Sequence, residues 1–138
     1  MNSILKEEES VSHPIDRVWD AITKEAEVSA WFLPGAFHPA KGARYQFHGT
    51  ANGNWDGFIR GVFKEVTQLN RVVFSFETNE LQASTEVTWT LTEEPGGTHI
   101  AIEHSAPDVV STNATIVQAL KDSWSSALMH LSQHLEDT

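Results

Sequence analysis

His130 and His134 stand four residues apart, the spacing at which two imidazoles on one helix face can ligate zinc. No third ligand is evident beside them, both lie at the edge of an apolar stripe, and the chain has no cysteine. The pair therefore reads as a solvated helix end, and neither a metal nor another cofactor is expected. His104 offers different chemistry. It alternates with Ile100 and Ile102 on the inward face of a strand. It is either a core histidine satisfied by a hydrogen bond or, with the Tyr45 hydroxyl, a group that orients the polar end of a ligand. Serine, histidine and aspartate are common enough to assemble a hydrolytic triad on paper. No serine carries the glycine pattern of a nucleophile elbow, however, and the glycine-rich phosphate loops are absent. No catalytic residue is expected. Asn113-Ala114-Thr115 fits a glycosylation sequon but reads as the start of a helix.

The aromatic residues carry the stronger signal. Trp31, Phe32, Phe37, Tyr45, Phe47, Phe74, Phe76, Trp89 and Trp124 are the candidates for ligand contact. Leu120 and Leu128 share a helical stripe with Trp124 and complete the candidate ligand-binding set. Ordinary core packing explains much of this. Five tryptophans are nonetheless more than a small core needs, and wide flat walls are what binding a ring or an acyl chain requires.

The elements that must position these residues follow from their periods. Ile116, Val117, Leu120, Trp124, Ala127, Leu128, Leu131 and Leu135 fall on one stripe of a helix from about Asn113 to Leu135. Ser111, Thr112 and Asn113 are its candidate caps. Such a helix cannot bury its stripe alone, so the rest of the chain should form a concave surface around it. Ile4 to Ser12 reads as a strand. Pro14 to Ile22 reads as a short helix capped by Ser12 or His13, and Lys24 to Trp31 as a second that ends at Pro34-Gly35. From Lys41 the period becomes two: strands are expected around Ala43–His48, Trp55–Val66, Val72–Phe76, Thr85–Leu91 and Thr98–Ser105. Gly57 and Gly61 suggest a bulge or bend in the second of these. Two short helices after the first strand, then a meander and a long helix, give an α+β class: a helix-grip fold with a curved, antiparallel, six-stranded sheet.

Composition narrows the partners. The 138 residues suit one domain, and nine basic against nineteen acidic side chains leave a net charge of −10. That charge disfavours nucleic acid and anionic membranes. No run approaches a membrane span, and Met1–Glu9 has three consecutive glutamates with no apolar run, so neither membrane insertion nor a signal peptide is expected. The expected location is the cytoplasm.

Several motifs resemble one family. Val18-Trp19-Asp20-Ala21-Ile22-Thr23, Trp31-Phe32 and Pro34-Gly35 look like the opening signature of the homologues of the heat-shock protein 90 ATPase activator. Gly61-Val62-Phe63-Lys64-Glu65-Val66, Arg71-Val72-Val73-Phe74-Ser75-Phe76, Thr98-His99-Ile100-Ala101-Ile102-Glu103-His104 and Trp124-Ser125-Ser126-Ala127-Leu128-Met129-His130-Leu131 continue it in order. The resemblance implies the START-like superfamily (birch-pollen-allergen-like, or SRPBCC), with residues 1–138 as one domain and a deep apolar cavity between sheet and long helix. In the cavity that this resemblance implies, Trp31, Phe32 and Phe37 are expected near the mouth, and the remaining aromatic candidates in the walls. Its relatives include lipid carriers, polyketide cyclases and co-chaperone domains. The family's namesake carries a further N-terminal domain, for which 138 residues leave no room, so its co-chaperone activity is not expected to carry over. The leading expectation is a non-enzymatic binder or carrier of a small hydrophobic molecule such as a lipid, an isoprenoid or a polyphenol-like ring system. A stress-related protein-interaction module is the second reading, and a cyclase- or dehydratase-type enzyme the third.

Overall fold

Alternation of apolar and polar side chains builds a sheet that curls around one helix. The computed structural model describes residues 1–137. Its strands are β1 (Asn2–Val11), β2 (Gly35–Ala36), β3 (Arg44–His48), β4 (Phe58–Thr67), β5 (Arg71–Phe76), β6 (Thr85–Glu94) and β7 (Gly97–Ala106). Helices α1 (Ile15–Thr23) and α2 (Glu25–Trp31) follow β1; α3 (Asp108–Ser111) and α4 (Ala114–Glu136) close the chain. The antiparallel sheet runs β1-β7-β6-β5-β4-β3-β2, so the first and last strands are neighbours. This is the α+β helix-grip architecture, with a long C-terminal helix against an open sheet.

The sheet has seven strands rather than the expected six. Gly35 and Ala36 do more than stop α2: they pair with Phe47 and Gln46 at the β3 edge. A side chain at Gly35 would put its Cβ 2.0 Å from the Gln46 carbonyl oxygen, so only glycine lets the two backbones meet there. The curvature comes from β4, which pairs with β3 through Phe58–Val62 and with β5 through Phe63–Thr67. Its bulge lies between Phe63 and Glu65, not at Gly57 or Gly61. Gly61 is instead a close-approach site, where a Cβ would lie 1.9 Å from the Ser75 carbonyl oxygen and 2.7 Å from the Tyr45 ring. Trp55 falls outside β4, in a small bridged turn with Asn52.

Helix starts are as sequence chemistry suggests at one end of the chain only. Asn113 caps α4, its Oδ1 accepting from the Ile116 N–H at 3.1 Å. At α1 the cap position is Pro14 itself, with no side-chain cap bond, so neither Ser12 nor His13 serves. Helix α3 had no signal in the sequence beyond Pro107-Asp108. The α4 stripe divides in two. Trp124, Ala127, Leu128, Leu131 and Leu135 are buried, whereas Ile116, Val117 and Leu120 are only half-buried. The first turns of α4 therefore leave apolar surface uncovered, and that surface bounds the candidate site.

Candidate ligand-binding site

The site grows from strand parity. Tyr45 and Phe47 on β3, Ile59 on β4, Val72, Phe74 and Phe76 on β5, and Trp89 on β6 all lie on the concave face. With Trp124 from α4 and Ile22, Val28, Trp31, Phe32 and Phe37 from the segment after β1, they enclose an interior cavity of about 40 Å³. That is room for two or three waters, roughly. The rings have filled most of the space they surround. Trp89 and Trp124 meet edge to face at 6.1 Å, so the two facing indoles do share one space. Phe37 stacks on Phe47 at 5.2 Å, and Phe63 fits against Tyr45 at 5.4 Å.

Beside this cavity lies a wider groove of about 500 Å³, within the size of a small-molecule site. Ile116, Ala119, Leu120, Ser123 and Ala127 of α4 form one bank; Leu33, Trp55, Thr78 and Leu81 form the other. Phe32, Ile59, Phe76 and Trp124 line both spaces and so form the partition between them. Glu80, Asp122 and His130 stand at the groove and no lysine or arginine lines it. Arg44, a residue that could balance the acidic surface, lines a separate depression with Lys24 and His38.

The polar candidates are engaged elsewhere. His104 is fully buried and lines neither space. The Trp124 Nε1–H donates to its Nδ1 at 3.0 Å; an indole can only donate, so Nδ1 is the acceptor and the proton sits on Nε2. Nε2–H then donates to Thr85 Oγ1 at 2.8 Å, and the Thr85 hydroxyl donates to the Phe76 carbonyl at 2.6 Å. Burial pushes the imidazole down to about 4, so it is neutral at pH 7. His104 thus holds the indole of Trp124 and borders neither space. The Tyr45 hydroxyl donates to the Ser75 carbonyl at 2.7 Å, and burial raises its pKa well above the ordinary phenol value. Tyr45 lines the cavity with its hydroxyl already committed to the Ser75 carbonyl. Among the described residues no buried side-chain nitrogen or oxygen lacks a hydrogen-bond partner.

Other expected positions sort as follows. Trp31 and Phe37 lie inside, buried, and Trp31 donates its indole N–H to the Ala21 carbonyl at 2.8 Å. Of the three residues assigned to the mouth, Phe32 alone is half-buried and borders both spaces. Leu120 lines the groove, whereas Leu128 is buried under α4 and lines neither space. His130 borders the groove and His134 turns to Glu27 at 3.0 Å. Among the described residues no three histidines or carboxylates are placed to hold a metal ion, and no helix is long and apolar enough to cross a membrane. Sequence reasoning missed Ile22 and Val28, which the helical stripes of α1 and α2 could have given, and Ile59, which parity could have given. Leu81 lies in a loop and had no signal.

A family model described as Activator of Hsp90 ATPase homolog 1-like protein matches residues 12–136. No curated protein matches the chain. Among solved structures, DynU16, a protein in the dynemicin biosynthetic locus, aligns with a TM-score of 0.82 and 26% identity, over 96% of this chain and 46% of its own length. The chain thus spans about half of DynU16. Protein MLL2253 from Mesorhizobium loti aligns with a TM-score of 0.82 and 26% identity, over 97% of both chains. CalU16 from Micromonospora echinospora, at 22% identity and a TM-score of 0.75 over 94% of this chain and 74% of its own, shares the fold. These comparisons overturn the expectation that the protein is not an enzyme: DynU16, a chain of this fold, stands in a biosynthetic locus, so the lack of a catalytic motif in the sequence does not argue against catalysis.

Proposed function

The chain belongs to the Activator of Hsp90 ATPase homolog 1-like family, and from that membership we propose that it binds a small hydrophobic molecule in the groove under the first turns of α4. Residues 1–138 act in this reading as one START-like domain in the cytoplasm. The observation that carries it is the pairing of a groove of about 500 Å³ with an aromatic cavity behind a shared wall of Phe32, Ile59, Phe76 and Trp124. Burying the half-exposed α4 stripe under a ligand gains about 25 cal/mol for each Å² of apolar surface removed from water. A flat ring system or an acyl chain matches those walls; a lipid, an isoprenoid or a polyphenol-like compound each meets that description. Glu80 and Asp122, with no cation lining the groove to balance them, work against an anionic head.

An NMR titration with a panel of fatty acids, isoprenoids and flavonoid-like compounds tests the reading. Saturable shifts clustered on Trp124, Leu120 and Trp55 are expected for at least one class. If every compound leaves those signals in place, the ligand reading fails and the groove becomes a candidate for contact with another protein.

A further inference from the structure

Resting on the ligand-binding reading, a question of space decides what must move. A benzene-sized ligand needs a cavity on the order of 150 Å³, and the interior offers about 40 Å³. Any ligand ring that enters must displace part of the partition. Three of its four members are held. Ile59 and Phe76 are buried on paired strands, and the Trp124 indole is pinned by His104. Phe32 is different. It follows the last residue of α2, is half-buried, and its side chain has packing contacts only.

The surroundings of that ring already form a slot for a flat group. Its plane lies 4° from that of Trp124 with centroids 6.1 Å apart, an offset stack. The Phe47 ring abuts it at 88° and 5.1 Å, and Trp31 closes a third side at 5.6 Å. We infer that Phe32 is a gate that occupies the ligand's place: its ring swings out, the groove and the cavity join, and a flat, uncharged fused-ring molecule stacks on Trp124 in its stead. The requirement for no charge comes from the inner walls. They carry no ionisable side chain except Tyr45, whose hydroxyl is already committed to Ser75. An ion there would be desolvated with no partner.

Stopped-flow binding of Nile red, a flat and neutral fused-ring dye, to wild type, Phe32→Ala and Phe32→Leu tests this. In wild type the observed rate should saturate as dye increases, because opening becomes limiting. In both variants it should stay proportional to dye. Apparent affinity falls by the fraction of molecules that are open, so an open population near one in ten predicts about tenfold tighter binding by the variants. Phe32→Leu keeps most of the apolar volume and stands in if the alanine variant does not fold. Variants that bind at the wild-type rate and affinity overturn the gate while leaving the ligand reading intact. Dye that binds none of the three proteins overturns the gate for a flat fused-ring ligand, while the ligand reading itself stands or falls on the fatty-acid, isoprenoid and flavonoid panel.

Discussion

Replacing His104 by Gln removes a titrating group from the centre of the core while leaving an amide that can still accept from Trp124 or donate to Thr85. In the folded protein burial holds the imidazole at about 4, against an ordinary value of 6.5. Geometry opposes its protonation too: a proton on Nδ1 would point at the Trp124 indole N–H, a group that cannot accept. The unfolded chain takes up a proton as pH falls through 6.5 and the folded chain does not until about 4. Stability from the neutral imidazole is therefore fully present above 6.5, is lost as pH falls across that window, and is constant below it. Each pH unit within the window costs about 1.4 kcal/mol, and the whole window roughly 3 kcal/mol as an upper figure. Urea denaturation followed by far-UV circular dichroism at several pH values between 7.5 and 4.5 would read it, with roughly 2–3 kcal/mol expected to disappear from the wild-type advantage over His104→Gln. The other histidines and the carboxylates are common to both proteins and cancel in the difference. The variant should also start about 1–3 kcal/mol lower at neutral pH, because one amide cannot satisfy both partners in the same geometry. Parallel pH profiles for the two proteins would refute a neutral, structural His104, as would an imidazole NMR signal that titrates near 6.5.

Three other expectations follow from the same packing. Leu128→Ala should cost about 2–5 kcal/mol in urea denaturation, since the side chain is buried beneath α4; a loss below about half a kilocalorie would place it on the surface and sink the gripped-helix arrangement. Gly61→Ala should destabilise by about 1–3 kcal/mol or more, because β4 and β5 must part to admit a Cβ 1.9 Å from the Ser75 carbonyl; an unchanged midpoint would show that the approach is not tight. Glu27 accepts from Arg17 at 2.7 Å and His134 at 3.0 Å, joining α1, α2 and α4. Burial works to raise its pKa, but those two hydrogen bonds and charges together hold it below the ordinary carboxyl value. Its contribution should be present above the ordinary carboxyl range and be lost as pH falls below it, and Glu27→Gln should flatten that acid-side decline in a thermal-melt series.

The fold was legible in the sequence wherever period and burial agree. The α4 stripe and the alternation of Thr85, Val87, Trp89 and Leu91 place the helix and sheet without further help, because a half-buried element repeats its apolar residues at its own period. Where a residue's role depends on what lies opposite, sequence is silent. Gly35 and Gly61 look alike as helix stop and strand bend, yet each is there because another backbone passes within touching distance. Strand β2 is two residues long and exists only through its pairing with β3.

The site divides along the same line. Parity puts Trp89 and His104 on one face of the sheet, and both are indeed buried there. It cannot say that the donor reaching Nδ1 of His104 is the indole of Trp124, a residue twenty positions later on another element. Once that bond forms, the most reactive-looking side chain of the core becomes a brace for an aromatic one. Trp124 then cannot turn aside, which leaves Phe32 as the member of the partition able to yield. The buried histidine and the aromatic gate are in this sense one mechanism: a polar bond deep in the core fixes the surface on which a flat ligand would stack. Loss of that bond should therefore be felt in the site as well as in stability. Trp124→Phe, which deletes the donor and keeps a ring, is expected to weaken Nile red binding and also to let the His104 imidazole titrate closer to its ordinary range. A variant that binds the dye like wild type and leaves the His104 titration unmoved would separate the two and break the connection.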